Sequence, residues 1–216
     1  MCKKIVLIGA GGFGREVAIM IEEINLVKKR FELLGFLDDG PNFDENSDIN
    51  GYPWLGPTSW ILDHKDDVVC TCTISNPAIK SRIQRELTDK GVRFQTIMAV
   101  TSGVARSSVI GPGSVLYWNV GVSVNCKVGA GVLLNDGVKL GHDVVIGDFV
   151  SVFPGTGISG GTTVGEEASI GGHAFIVPGK KIGDRAHIAA GSIVFSNVRA
   201  GTTVLGNPAK RMKELE

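Results

Sequence analysis

Four cysteines, Cys2, Cys70, Cys72 and Cys126, are all the chain has, and no two form a CxxC pair. That spacing removes the zinc ribbon and the thioredoxin-type redox site. Cys70 and Cys72 lie in the apolar run VVCTCTI and read as small core residues of a buried strand. Net charge is missing as well. Lys plus Arg number 22 against 22 Asp plus Glu, so composition gives no electrostatic reason to expect nucleic acid or an anionic membrane as partner. No apolar stretch approaches the ~20 residues of a membrane span. The N-terminus MCKKIVLIGAGG runs from a short apolar segment straight into a glycine motif, which is not the pattern of a signal peptide. These absences predict a cytoplasmic protein without membrane insertion.

Glycine is abundant instead. There are 30 in 216 residues, concentrated after residue 103 and without a collagen triplet. In that half every sixth residue is Val, Leu or Ile, without a break from Val104 through Ile110, Leu116 and Val122 to Ile188 and Val194. Gly111, Gly129, Gly147, Gly165, Gly183 and Gly201 follow at a spacing of eighteen. Six residues per side and eighteen per turn predict a three-sided coil of short parallel strands. The fifth place of each hexad is mostly small or β-branched, as at Ser114, Val120, Cys126 and Ala168, and is expected to fill the triangular core beside the aliphatic. The tail GNPAKRMKELE is expected to cap the last coil, since an uncapped coil exposes strand edges.

The first 97 residues follow another pattern. KKIVLIG reads as a buried parallel strand, and a helical pattern runs from Arg15 to about Lys29. Phe31 to Leu37, Asp67 to Ile74 and Val92 to Ile97 read as three more strands. Asn76 to Lys90 reads as a helix, Thr58 to Asp63 as a short one, and 41–57 as mostly loop. The expected architecture is a small Rossmann-like α/β domain over 1–97 followed by the β-helix over 98–216. Gly9, Gly11 and Gly14 have the G-x-G-x-x-G spacing between a strand and a helix, with Gly12 and Phe13 inside it. Such a loop lets phosphates approach the backbone at a helix N-terminus. Asp38 or Asp39 closes the next strand, where a carboxylate can meet ribose or base. With only about four strands, and fused to a coil without redox chemistry, the domain fits a sugar nucleotide better than a dinucleotide.

The hexads resemble those of the left-handed β-helix acyltransferases. Together with GAGGFG, GFLDD and GNPAKRM they resemble the nucleotide-sugar acetyltransferases of the bacillosamine, perosamine and sialic-acid pathways. The resemblance covers essentially the whole chain. It implies a homotrimer, acetyl-CoA in a groove between neighbouring coils, and a nucleotide sugar on the small N-terminal domain. It implies that His142 is the catalytic base, that Asp143 orients the imidazole, and that Asn135 contacts the reacting group of the acceptor. Where the family often has a second histidine this chain has Ser151, expected to donate a hydrogen bond. Where the family frequently has another histidine it has Phe13, so the acceptor is expected to differ from that of the best-known members.

The chemistry favours histidine independently. The attacking sugar nitrogen must lose a proton, and an ordinary imidazole pKa near 6.5 suits that task. Adjacent residues on a flat strand point to opposite faces, so His142 and Asp143 can meet only at a corner. Backbone N–H groups at Gly155 or Gly157 could hold the thioester oxyanion. Ser151, Gly155, Gly157, His173, Lys180, Lys181, Lys210, Arg211 and Lys213 are the candidates for coenzyme A contacts. The leading expectation is acetyl-CoA-dependent N-acetylation of a nucleotide-linked amino sugar, without a metal. Sugar O-acetylation and a non-catalytic trimeric binding module are the alternatives. A γ-carbonic-anhydrase-type zinc site is disfavoured, because His142, His173 and His187 do not share a coil side at eighteen-residue spacing.

Overall fold

The computed structural model describes residues 2–212, and residue contacts divide the chain into two units, Met1–Val100 and Thr101–Glu216. The division falls three residues after the expected one.

The first unit contains β1 (Lys3–Ile8), α1 (Gly12–Val27), β2 (Phe31–Leu37), β3 (Asp48–Ile49), β4 (Tyr52–Gly56), β5 (Val68–Cys72) and α2 (Pro77–Asp89). They form one sheet in the order β3-β4-β2-β1-β5. β1 pairs in parallel with β2 and β5, and β2 with β4, while β3 runs antiparallel to β4. Central β1 buries Ile5, Val6, Leu7 and Ile8, which explains its uninterrupted apolar run.

The segment 41–57 is mostly loop, as the sequence reads, although Asp48–Ile49 and Tyr52–Gly56 place two strands in it. Pro53 lies on the β3 side of that second strand and ahead of its short ladder to β2, which pairs only Trp54 and Gly56. The expected strand Val92–Ile97 shrinks to a single bridge between Phe94 and Cys70, followed by the two-residue strand Ile97–Met98. There the Thr71 hydroxyl takes the Gln95 carbonyl at 2.7 Å, and the Gln95 amide takes that of Thr96 at 2.8 Å. Side chains thus bond the acceptors that a longer ladder would use.

The second unit is the coil. Its two-residue strands pair in parallel with the strand eighteen residues on, so that Gly121 faces Lys139 and Lys139 faces Gly157. Three sheets result. The first side runs from Gly103–Val104 to Ile193–Val194, the second from Val109–Ile110 to Lys181–Ile182, and the third includes Val115–Leu116 through His187–Ile188. The hexad aliphatics from Leu116 to Val194 are buried along the axis, while Val104 and Ile110 in the first turn are half-buried. The fifth-place residues pack beside them. Buried hydroxyls there reach backbone carbonyls, Ser114 to Gly129 at 3.0 Å and Thr156 to Gly171 at 2.9 Å, which removes the cost of burying them unpaired. The eighteen-residue glycine column is set by coil-to-coil approach. A Cβ at Gly147 would lie 2.8–2.9 Å from the backbone of Gly165 and Glu166. After Thr203–Leu205 the chain turns back, and Lys210–Arg211 pairs antiparallel with it, covering that edge.

The corners also recur every eighteen residues. Asn119, Gly137, Gly155, His173 and Gly191 form one column of left-handed backbone, and Asn125, Asp143, Gly161 and Gly179 a second. Side chains other than glycine are costly in this conformation, and Asn, Asp and His are the ones that enter it most often.

Candidate active site

His142 and Asp143 occupy the corner between the first and second sides. The left-handed φ of 59° at Asp143 turns the chain so that two consecutive side chains meet, which a flat strand forbids. Nδ1 of His142 lies 2.8 Å from Oδ2 of Asp143, and both side chains are exposed, 67% and 55%. The other carboxylate oxygen accepts a hydrogen bond from Nδ2 of Asn125, one coil earlier, at 3.2 Å. The hydrogen bond from His142 holds the Asp143 carboxyl below its usual range, with Asn125 adding to the effect. Asp143 is thus a carboxylate at neutral pH. With Nδ1 turned to it, Nε2 faces outward over the next coil. There the ring occupies the space above Gly160, where a Cβ would lie 2.5 Å from Nε2.

Asn125 and Gly160 escaped the sequence reading. They stand eighteen residues before Asp143 and eighteen after His142, so the coil period carried the signal.

At the corner between the third and first sides, the ring of His173 covers Gly155, within 2.6 Å of where a Cβ would be. Asn135 lies beside the same corner, at the far end of the first side from His142, so one chain does not bring them together. Its Oδ1 accepts from the Asp136 N–H at 2.7 Å. His187 lies on the third side, so the three coil histidines diverge.

The N-terminal loop is built as the spacing predicts. Gly11 caps α1 with extended backbone and no side-chain hydrogen bond, and Gly11 and Gly12 are exposed while Phe13 is half-buried. A Cβ at Gly14 would collide with the Gly9 carbonyl, so the glycine allows helix and strand to approach. Oδ2 of Asp38 accepts from the Ala10 N–H at 2.8 Å and Oδ1 from Gly40 at 2.8 Å, so this carboxylate braces the loop. Asp39 instead accepts from the backbone and hydroxyl of Thr58 at 2.7 and 2.8 Å.

A sequence model of the PglD N-terminal domain matches residues 4–87. A GDP-perosamine N-acetyltransferase of Escherichia coli O157:H7 is 31% identical, over 96% of this chain and 95% of that protein. The chain belongs to the hexapeptide-repeat sugar N-acetyltransferase family. Among solved structures, the acetyltransferase domain of PglB from Neisseria gonorrhoeae, in complex with acetyl coenzyme A, is 29% identical with a TM-score of 0.86. That match covers 98% of this chain and all of that one. PerB of Caulobacter crescentus, solved with CoA and GDP-perosamine, superposes at a TM-score of 0.88 over 99% of each chain. At 22% identity it shows the fold alone. The coil is the family's left-handed β-helix.

Within this family member the expected coenzyme residues divide. Gly155, His173, Lys181, Lys210 and Arg211 are exposed, and Gly157 and Lys180 are half-buried. Ser151 is corrected: it is wholly buried and presents no surface to a coenzyme. The third side covers its outward positions Val115, Leu133 and Ser151 alike, so facing outward there does not mean facing solvent. Arg211 lines a cavity of about 250 Å³ with Asn197, Arg199 and Ala209. Lys213 lies outside the described residues.

Proposed function

We propose that the chain transfers the acetyl group of acetyl-CoA to the amine of an amino sugar carried on a nucleotide diphosphate, with His142 as general base. The observation that carries this reading is the exposed His142–Asp143 pair, whose geometry fixes Nδ1 and leaves Nε2 free. The family relatives add the substrates, a GDP-linked amino sugar in the Escherichia coli enzyme's name and acetyl coenzyme A in the Neisseria gonorrhoeae complex.

The sugar nitrogen attacks the thioester carbon and yields its proton to Nε2 of His142. The tetrahedral oxyanion collapses, the carbon–sulfur bond breaks, and the imidazolium returns the proton to the coenzyme A thiolate. Asp143 stabilises the imidazolium and holds the ring's orientation. The N–H groups of Gly155 and Gly157, the expected oxyanion donors, are instead committed within the coil, to the Asp136 carbonyl at 2.9 Å and the Ala174 carbonyl at 3.0 Å, so neither serves the oxyanion. His173, Lys180, Lys181, Lys210 and Arg211 take the coenzyme, the cations its phosphates. Gly9, Gly11, Gly12, Phe13 and Gly14 cradle the sugar nucleotide, with Asp38 and Asp39 at its nucleoside end. The enzyme works as a cytoplasmic homotrimer, in which a second copy brings an Asn135 to a His142 corner.

Incubation with acetyl-CoA and a panel of nucleotide-linked amino sugars, read by mass spectrometry and thiol release, tests this. N-acetylated product is expected, with His142→Ala slowed by about 10²–10⁴-fold. A parent protein that acetylates none of the panel ends the functional reading. A His142→Ala variant at full rate ends the assignment of the base.

A further inference from the structure

Whole-chain neutrality does not extend to one tip of the N-terminal unit. α1 ends in Leu26 and Val27, which are 87% and 76% exposed. Lys28, Lys29 and Arg30 follow at once, all exposed. Among the described residues none of these three cations belongs to an ion pair. The start of β1 lies against them, with the Lys3 N–H bonded to the Arg30 carbonyl at 2.9 Å and Lys4 paired across the sheet with Glu32. A depression of about 590 Å³ is lined by Cys2, Lys3, Lys28, Lys29 and Arg30. A second, of about 540 Å³, shares Cys2 and Lys3 and adds Lys4 and Arg93. Six cations thus face one surface, with Asp67 lining it and Glu32 beside Lys4 as the opposing carboxylates.

A second copy of the same patch is a poor occupant, because cations would meet cations. A nucleic acid would satisfy the charges, yet it gains nothing from two bare aliphatics, and Phe31, the aromatic in the lining, is buried. An anionic lipid surface rewards both features. Basic side chains read the headgroup phosphates, while aliphatic side chains enter the boundary between headgroups and acyl chains. We propose that this tip docks peripherally on an anionic membrane, Leu26 and Val27 entering the interface and Lys3, Lys4, Lys28, Lys29 and Arg30 facing the lipid phosphates. No helix of the described chain is long and apolar enough to cross the membrane, so contact is superficial and reversible.

Co-sedimentation of the full chain with vesicles of phosphatidylcholine, with and without phosphatidylglycerol, tests the proposal. Binding is expected only with phosphatidylglycerol and is expected to weaken as salt is added. Each cation contributes about fivefold to partitioning, so Lys28→Glu/Lys29→Glu/Arg30→Glu is expected to lose about a hundredfold or more. Leu26→Ser/Val27→Ser is expected to weaken vesicle binding and leave retention on heparin unchanged. Unaltered circular dichroism and acetyl transfer of both variants establish that they fold. Equal binding to both vesicles, binding to neither, or vesicle binding indifferent to Leu26→Ser/Val27→Ser overturns the proposal. The last result, joined to displacement by duplex DNA, marks a nucleic-acid patch instead.

Discussion

The imidazole of His142 rests over the α-carbon of Gly160, in the volume a side chain at 160 would need. Gly160 does not have the left-handed backbone that excludes alanine, so Gly160→Ala tests the ring's position with little effect on the coil. The added methyl meets Nε2 and Cε1 at 2.5 and 2.7 Å and must push the ring aside. A displacement of about 1 Å at a reacting group costs on the order of a hundredfold in rate. Steady-state kinetics should show kcat falling about that much, with thermal unfolding nearly unchanged. An undiminished kcat would show that the observed ring position is not the working one.

Asp143 is held from two sides, so its two partners can be separated. Asn125→Gly removes the amide donor yet suits the φ of 60° there, and it is expected to lower kcat by roughly tenfold, the worth of one hydrogen bond to a charged group. Asp143→Asn, also at home in left-handed backbone, removes the charge and is expected to cost more, roughly tenfold to a thousandfold. The ranking of the two variants is the measurement. If Asn125→Gly proves the more damaging, orientation of the imidazole runs through another contact.

In the N-terminal unit, burial pushes the Lys80 ammonium down to about 7 from its ordinary 10.5, against a small opposing effect of Cys72. The unfolded chain therefore binds more protons than the folded one between these values, and stability rises with pH across that window. Burial raises the Cys72 thiol to about 11 and the Cys70 thiol further, which works in the opposite direction above about pH 9. Urea unfolding followed by the fluorescence of Trp54 and Trp60 should show a gain from pH 7 to 8.5 that flattens in Lys80→Met. An equal slope in the variant would remove Lys80 as the cause.

The coil's axis sets a different scale. Ile170 is fully buried in mid-coil, so Ile170→Ala should lose about 2–5 kcal/mol by chemical denaturation. Val109 is 65% exposed, and Val109→Ala should change stability by less than about 0.5 kcal/mol. Similar losses at both sites would contradict the inward and outward assignment.

Periodicity made the coil legible, because a position buried every sixth residue has to be aliphatic whatever its neighbours are. The same logic reached His142 and Asp143 only through resemblance, since a repeat shows where a corner falls but not which corner reacts. β4 was hidden inside a segment rich in Gly, Pro, Asn and Asp, and its ladder to β2 is short, pairing only Trp54 and Gly56. Ser151 misled because its exposure depends on what covers the third side, and no local pattern records that. Asp38 was read as a ligand contact, while its first visible role is to hold the loop through Ala10.

A prism with left-handed corners every eighteen residues is a counting device. Insertion of a whole turn would leave every downstream residue above its former neighbours, merely lengthening the molecule. Insertion of a single hexad would keep the aliphatic core intact and yet rotate everything beyond it by one edge. Placed between Asn125 and His142, it would strand Asp143 away from its amide while the fold survived. Evolution along such a chain should therefore tolerate length changes in eighteens and punish those in sixes.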